Sequence, residues 1–512
     1  MVPLQLQAES HVPLYVQIRD QLRALVSSGE LRAGDRIPAS RELAGQLGVH
    51  RTTVANAYAE LEADGLIRGH VGRGTFILET QAPGRISPPP PPHNGQAGVR
   101  WESLFADERG EEALSRLCPT TLPNAISFLN ARPADEMFPV EEFRNCCNAV
   151  LRRDGKTILQ FGSADGYAPL KDTVRDLLRR GGIQAAEDEI LITDGCQQSL
   201  DLLCKAFLRP GDTVILENPA YPGAIAIFSG ARVRCVGVPV QNGVNGGEPG
   251  MDIGALEAAL LQNRVKLIIT TPDFQNPTGT TMPMAARRRL LEVAARHQVP
   301  VVEDHIYGGL WARGKKIPSL KALDRAGVVI HVDSFSKVAF PGLRVGWLVA
   351  PKNVVDRMRL VKQAADLHTD NLSQAALAEF VKRGGFEKHL ARMRKIYATR
   401  LAAMEEALER HMPEGVEWAR VEGGMSVWLI LPPGFDASEL LIHVRERGVL
   451  FAPGRYFYFQ QPQPNTLRLA FAALDEKKIG RGVTILGEVL RMEMRKRERG
   501  ARREFRGSVA LV

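Results

Sequence analysis

Lys337 stands in the run Asp333-Ser334-Phe335-Ser336-Lys337, with Arg344 seven positions further on. A primary amine condenses with an aldehyde cofactor to form an imine, and small hydroxyls beside a guanidinium can hold a phosphate. The spacing suits Lys337 to the first task and Ser334, Ser336 and Arg344 to the second. By itself, a lysine in a serine-rich turn is more often an ordinary surface feature. The rest of the chain must supply the other parts of such a site.

Several stretches offer them. In Thr193-Asp194-Gly195-Cys196-Gln197-Gln198 a strand runs into a helix. There the backbone N–H groups of Cys196 and Gln197 can receive a phosphate, and Gly195 permits close approach. Tyr221, in the stiff turn Asn218-Pro219-Ala220-Tyr221-Pro222-Gly223, can cover one face of a planar ring. Asp304 ends the apolar run VPVVEDHIY, where a buried carboxylate needs a partner such as a protonated pyridine nitrogen. Asn276 and Tyr307 can hydrogen-bond a phenolate oxygen next to the imine, and Arg468 in NTLRLAFA offers a planar fork to a substrate carboxylate. Each of these alone can equally be an ordinary turn or a polar residue that stabilises the fold.

Alternating elements must position these groups. The runs EILITDG, DTVILENP, RVRCVGVPV, VKLIITTP, VPVVEDHIY and VVIHVDSFSK read as strands separated by amphipathic helices such as CQQSLDLLCKAFL. That pattern predicts an α/β domain with a mainly parallel sheet, whose ligands collect beyond the carboxyl ends of the strands. Over roughly residues 126–475 the motifs and their order resemble the pyridoxal-phosphate (PLP) fold type I aminotransferases, which have a large sheet domain and a smaller C-terminal α+β subdomain. The resemblance implies PLP as cofactor and Lys337 as the imine lysine. Asp304 would be the pyridine partner, Tyr221 the stacking ring, Asn276 and Tyr307 the O3′ contacts, and Arg468 the α-carboxylate clamp. Gly195, Cys196, Gln197, Ser334, Ser336 and Arg344 would form the phosphate cup. Phe161 departs from the pattern, since many relatives have there a tyrosine that reaches the neighbouring subunit's phosphate. Gln275-Asn276-Pro277-Thr278-Gly279, Glu303 to Tyr307 and residues 360–374 look similar to the 2-aminoadipate/kynurenine type.

Upstream, Leu14, Ile18, Leu22, Leu25 and Val26 make a helical stripe. Ser40 reads as the N-cap of a second helix ended by Gly48, and Val54, Ala57, Tyr58 and Leu61 as the buried face of a third. Two short helices joined by a tight turn form a helix-turn-helix whose second member offers His50, Arg51, Thr52 and Thr53 to base edges. Residues 66–77 read as a β-hairpin wing with Arg73 at its tip. The run IPASRELAGQLGVHRTTVANAYAELEADGLIRGHVGRGTFI resembles the winged helix of the GntR family of bacterial regulators. That implies Ser40, Arg41, Arg51, Thr52, Thr53 and Arg73 as contacts to double-stranded DNA, while His50 stands where a serine is common. A GntR winged helix joined to an aminotransferase-like domain resembles the MocR/GabR group of transcription regulators. The implied mechanism is exchange of the Lys337 aldimine with a small amino acid or amine effector, read out as DNA affinity. The alternative is an active amino-acid aminotransferase with a 2-oxo acid acceptor and an accessory winged helix.

Composition sets the frame. The 512 residues are 44% apolar, enough for sizeable cores, and divide into a winged helix (1–78), a linker with five consecutive prolines (79–123), the aminotransferase-like domain (124–480) and a C-terminal helix with a basic tail (481–512). The net charge of +8 is uneven, because residues 491–506 carry +5 of it while residues 1–78 are balanced. The six cysteines show no C-x-x-C pair and no metal-ligand spacing with histidine, which argues for a reducing compartment and against a metal. There is no signal peptide and no run able to span a bilayer, so the expected location is cytoplasmic. Fold type I sites are commonly built between two subunits, and a homodimer is expected.

Overall fold

The computed structural model divides into two units, Met1–Leu104 and Phe105–Val512. It describes residues 4, 6, 13–28, 30–31, 34–63, 66–70, 74–77, 101, 122, 124–244 and 246–509. Arg73 and, apart from residues 101 and 122, the linker expected over 79–123 lie outside the described residues.

In the first unit, α1 (Leu14–Ser28) buries Ile18 and Leu22, four residues apart and hence on one helical face. Helix α2 (Ser40–Leu47) buries Leu43 and Ala44 and ends at Gly48, whose φ of +65° turns the chain. Ser40 is not the N-cap: it is the first helical residue, and Ala39 occupies the cap position without a side-chain cap bond. Helix α3 (Arg51–Ala63) turns Val54, Ala57, Tyr58 and Leu61 into the same core. Each buried Val or Leu side chain contributes about 1.5–3 kcal/mol. The Tyr58 hydroxyl donates to the Pro38 carbonyl at 2.7 Å. Strands β1 (Arg36–Ile37), β2 (Ile67–His70) and β3 (Gly74–Ile77) form an antiparallel sheet in the order β1-β3-β2. The two-residue β1 is too short to announce itself by alternation.

The second unit opens with β4 (Ile126–Ser127), followed by the strands of the main sheet. These are β5 (Ile190–Thr193), β6 (Thr213–Asn218), β7 (Arg234–Gln241), β8 (Gly250–Met251), β9 (Val265–Thr270), β10 (Val301–Asp304), β11 (Val329–Ser334) and β12 (Gly346–Val349). Their order is β5-β12-β11-β10-β9-β6-β7-β8. The strands β11, β10, β9, β6 and β7 run parallel, whereas β12 is antiparallel to both its neighbours. The link from β11 to β12 is the Lys337 loop and holds no crossover helix, so the chain can return only antiparallel. The sheet is therefore mixed, with the Lys337 loop as its one tight return between adjacent central strands.

The strands β13 (Glu417–Trp418), β14 (Ser426–Ile430), β16 (Ala452–Pro453) and β17 (Thr466–Ala470) form a smaller antiparallel sheet, while β15 (Val449–Leu450) pairs with β4. That pairing fastens residues 126–127 to the C-terminal subdomain and lays the following segment beside β17. The helix Glu476–Val509 buries Ile479, Val483, Leu486, Val489 and Leu490 against the helix Gly385–His411. Its N-terminal half thus belongs to the domain core, and a boundary at 480 falls inside one helix.

Candidate cofactor and effector site

A cavity of about 450 Å³ is lined by Cys196, Gln197, Tyr221, Asn276, Asp304, Tyr307, Ser336, Lys337, Arg344 and Arg468. Ten of the residues expected from the sequence thus meet in one space. Gly195 and Ser334 stand behind its wall and act through others. Gly195 precedes the helix Cys196–Phe207 at φ +85°, and a Cβ there would lie 2.9 Å from Arg344 Nη2. Ser334 Oγ lies 2.9 Å from Ser336 Oγ and from the Val345 carbonyl, and accepts the Ser336 N–H at 3.0 Å. It holds the turn that carries Lys337.

Arg344 donates to Ser336 Oγ at 3.3 Å and to the Asp194 carbonyl at 3.1 Å. Guanidinium, hydroxyl and helix N-terminus converge, an anion-binding arrangement. Lys337 Nζ donates to the Ala131 carbonyl at 2.7 Å. Burial, helped by the charge of Arg468, pushes its pKa down to about 8. Asp304, at the end of β10, is buried and pushed up to about 6 by desolvation. It accepts the Ile306 N–H at 3.2 Å, and among the described residues no cationic side chain forms an ion pair with it.

Arg468 projects from β17 and donates to Asn276 Oδ1 at 2.7 Å and to the Leu129 carbonyl at 2.5 Å, with its guanidinium 4.8 Å from the Phe457 ring centre. Burial lowers its pKa to about 10, and its Nε has no hydrogen-bond partner. Among the described residues no carboxylate pairs with it, so it is open to an incoming one. Tyr221 precedes the helix Pro222–Gly230, and its ring passes where a Cβ on Gly223 would come within 2.5 Å of Cζ. Tyr307 is buried, which raises its phenol pKa, and its ring centre lies 6.0 Å from Lys337 Nζ.

The wall also contains Leu129, Asn130, Ala131, Arg132 and Tyr456, which sequence reasoning missed. Leu129 and Ala131 contribute carbonyl oxygens, and a main-chain contact leaves no signature in residue type. Phe161 does not line the cavity; it is 82% exposed, edge-on to His368.

In the first unit Arg41 lies in the opening turn of α2, and Arg51 and Thr52 open α3, all three exposed; Ser40 and Thr53 are half-buried. His50 Nδ1 accepts the Thr52 N–H at 3.4 Å and lies 2.8 Å from Thr52 Oγ1. The ring satisfies a free N–H at the start of α3, the task a serine performs at such a position. Among the described residues, no helix is long and apolar enough to cross a membrane.

Comparison with known proteins gives this geometry its family. Residues 135–486 match the family aminotransferase class I and II, and residues 14–77 match bacterial regulatory proteins, gntR family. The chain belongs to the aminotransferase class I and II family and carries a gntR-family domain at its N-terminus, the build of a MocR-type regulator. It is 30% identical over 485 residues to the probable rhizopine catabolism regulatory protein MocR of Rhizobium meliloti, covering 94% of this chain and 95% of that one. It is 41% identical over 400 residues to the 2-aminoadipate transaminase of Thermus thermophilus, covering 77% of this chain and 98% of the relative. The solved structure of LysN, an alpha-aminoadipate aminotransferase of Thermus thermophilus complexed with N-(5′-phosphopyridoxyl)-L-leucine, is similar with a TM-score of 0.70 at 38% identity, covering 77% of this chain and 98% of that chain.

The cofactor is pyridoxal 5′-phosphate, and this cavity fits it. Among the described residues the buried Asp304 carboxylate has no ion pair, Gln197 Oε1 is buried without a partner, and the Arg344 guanidinium lies so near Gly195 that a Cβ there would stand 2.9 Å from its Nη2. An anion site, an amine and an isolated carboxylate in one cavity match a phosphate, an aldehyde and a pyridine nitrogen.

Proposed function

We propose that the chain is a PLP-dependent transcription regulator in which the winged helix binds double-stranded DNA and the cavity binds a small amino acid or amine that changes DNA affinity. The observation that carries this reading is the meeting of Lys337, Asp304 and the Arg468–Asn276 pair in one cavity of a chain that also has a helix-turn-helix unit. Bound there, PLP supplies an aldehyde onto which amines exchange and a ring that withdraws electrons.

The protein's own groups divide the remaining work. Ser336, Arg344 and the first N–H groups of the helix Cys196–Phe207 hold the phosphate. Asp304 balances a positive charge in the cavity, and Tyr221 covers a ring face. Lys337, with its pKa near 8, keeps part of its amine neutral and nucleophilic at physiological pH. Arg468, oriented by Asn276, receives the carboxylate of an amino acid. Amine binding alters DNA affinity only through different affinities for two states of the protein.

The reading includes a homodimer, for which the neighbouring Leu159 and Phe161, 72% and 82% exposed, offer apolar surface to a second copy. It also places the protein in the cytoplasm, with DNA and a reducing environment that suits its free cysteines. DNA recognition is tested by selecting duplexes from a random pool with the holoprotein. Enrichment of paired half-sites that Arg51→Ala abolishes is expected; absence of any enriched motif contradicts the reading.

A second reading, sustained transamination, is favoured by the completeness of the donor set around Lys337. Incubation with amino-acid donors and 2-oxoglutarate separates the two. A regulator gives a spectral change without multiple turnover, whereas continuing 2-oxo acid exchange makes the chain an enzyme as well.

A further inference from the structure

A second cavity of about 200 Å³ is lined by His305, His331 and Asp333. His331 and Asp333 are two residues apart on β11 and face the same side of the sheet, opposite to that of Ser334. The parallel register pairs Glu303 of β10 with His331, and the His305 N–H continues the ladder to the Val332 carbonyl at 2.9 Å. Glu303 and His305 therefore share that face, while Asp304 between them lines the cofactor cavity.

We propose that His305, His331 and Asp333 form a binding site for a divalent transition ion of the zinc class. One donor atom from each lies within 4.8 Å of the other two. His305 Nδ1 stands 3.0 Å and His331 Nε2 4.0 Å from Asp333 Oδ2. Donor atoms around a tetrahedral zinc with bonds of about 2.0–2.1 Å lie roughly 3.3 Å apart, between those two distances. Asp333 Oδ1 accepts the Ser334 N–H at 2.7 Å, which leaves Oδ2 for an ion.

The outer partners fit as well. A ligating histidine commonly donates its other ring N–H to a carboxylate. His331 Nδ1 lies 2.8 Å from Glu303 Oε2, and His305 Nε2, buried without a hydrogen-bond partner, faces Asp273 Oδ2 at 3.6 Å. The Leu320 and Lys321 N–H groups fix Glu303, and Arg287 fixes Asp273. Two imidazoles and one carboxylate, each held from behind, form a nitrogen-rich set that suits zinc over magnesium or calcium. The cavity leaves room for a fourth ligand. Arg180, Lys316 and Arg394 also line it; Arg180 is paired with Glu387, and the three favour an anionic fourth ligand such as hydroxide.

The expectation of no metal came from linear spacing, and these ligands come together only through strand register. The site bridges the ends of β10 and β11, one carrying Asp304 and the other leading into Lys337, so an ion there would tie the two cofactor-bearing strands together. The competing arrangement is a histidine cation held between Asp333 and Asp273.

Full-length holoprotein is freed of metal with a chelator and titrated with Zn²⁺ by calorimetry and with Co²⁺ by visible absorbance. One site per chain is expected, with intense Co²⁺ bands of low coordination number and a rise in melting temperature on adding Zn²⁺. His331→Gln and Asp333→Asn should each weaken binding by on the order of 100-fold, and Glu303→Gln by about 10–100-fold. Absence of Zn²⁺ uptake by the wild-type protein overturns the proposal in favour of a histidine cation only. Equal affinity of wild type and folded variants overturns it too. Should the variants fail to fold, the wild-type Co²⁺ spectrum decides, because octahedral bands contradict the four-coordinate zinc-class site and thiolate charge transfer excludes this ligand set.

Discussion

Lys337 is the residue on which the site turns, and its chemistry depends on its surroundings. Burial lowers its pKa from the ordinary 10.5 to about 8. The neutral amine is the form that captures an aldehyde, and its fraction grows as pH rises through the folded pKa. The rate at which apoprotein takes up PLP should therefore rise with pH to about 8 and level off above it; stopped-flow absorbance measures it, and a rate still climbing towards 10.5 contradicts the shift. Arg468 gives a second prediction. Replacing it with alanine removes a charge-assisted hydrogen bond worth about 1.5–3 kcal/mol, so the Kd of a carboxylated amine should rise at least about tenfold. Titration of the cofactor spectrum reads this out, and an unchanged Kd removes Arg468 from the carboxylate site. These side chains were legible in the sequence because each chemical task demands a residue type. The Leu129 and Ala131 carbonyls were not, since any residue supplies a carbonyl. Nor was the division between Ser336, which faces the cavity, and Ser334, which holds the turn.

Elements explain why the groups converge. The strand runs around Asp304, Thr193 and Ser334 were readable as apolar segments, and the loops after them carry the chemistry. The antiparallel insertion of β12 was not readable, because alternation reports a strand but not its direction. At the helix starting at Cys196, Gly195 adopts φ +85° and ψ 175°, a region open essentially to glycine alone. Gly195→Ala adds strain of about 1–3 kcal/mol and presses on Arg344, so PLP should bind about tenfold or more weakly. Equilibrium dialysis checks this; unaltered affinity means that the turn does not shape the phosphate site. In the other unit, His50 caps α3. His50→Ala should destabilise the winged helix by about 0.5–2 kcal/mol while His50→Asn retains most of the stability. Calorimetry of the full chain tests the contrast, and equal melting of the two variants would rule out the cap.

At the scale of the whole molecule, two units with separate cores lie in one chain. Sequence motifs revealed both, since a helix-turn-helix and a lysine-bearing loop each have local signatures. They left open the extent of the C-terminal helix, whose buried stripe carries the domain core past residue 480. Exposed Phe161 belongs to this scale, for an isolated subunit gains nothing from it. In the proposed homodimer, Phe161→Asp should shift the equilibrium towards monomer in analytical ultracentrifugation; an unmoved equilibrium places the interface elsewhere.

The claim that joins the two units is that amine exchange at Lys337 is read out as DNA affinity. Its most direct test is the operator affinity of full-length holoprotein, followed by fluorescence anisotropy with and without an amine that shifts the cofactor spectrum, in wild type and in Lys337→Ala. The account predicts a change of about fivefold or more in the wild-type Kd, matching a coupling of about 1–3 kcal/mol, and none in the variant. An amine that shifts the spectrum yet leaves operator affinity untouched, or a variant that responds as the wild type does, would contradict it.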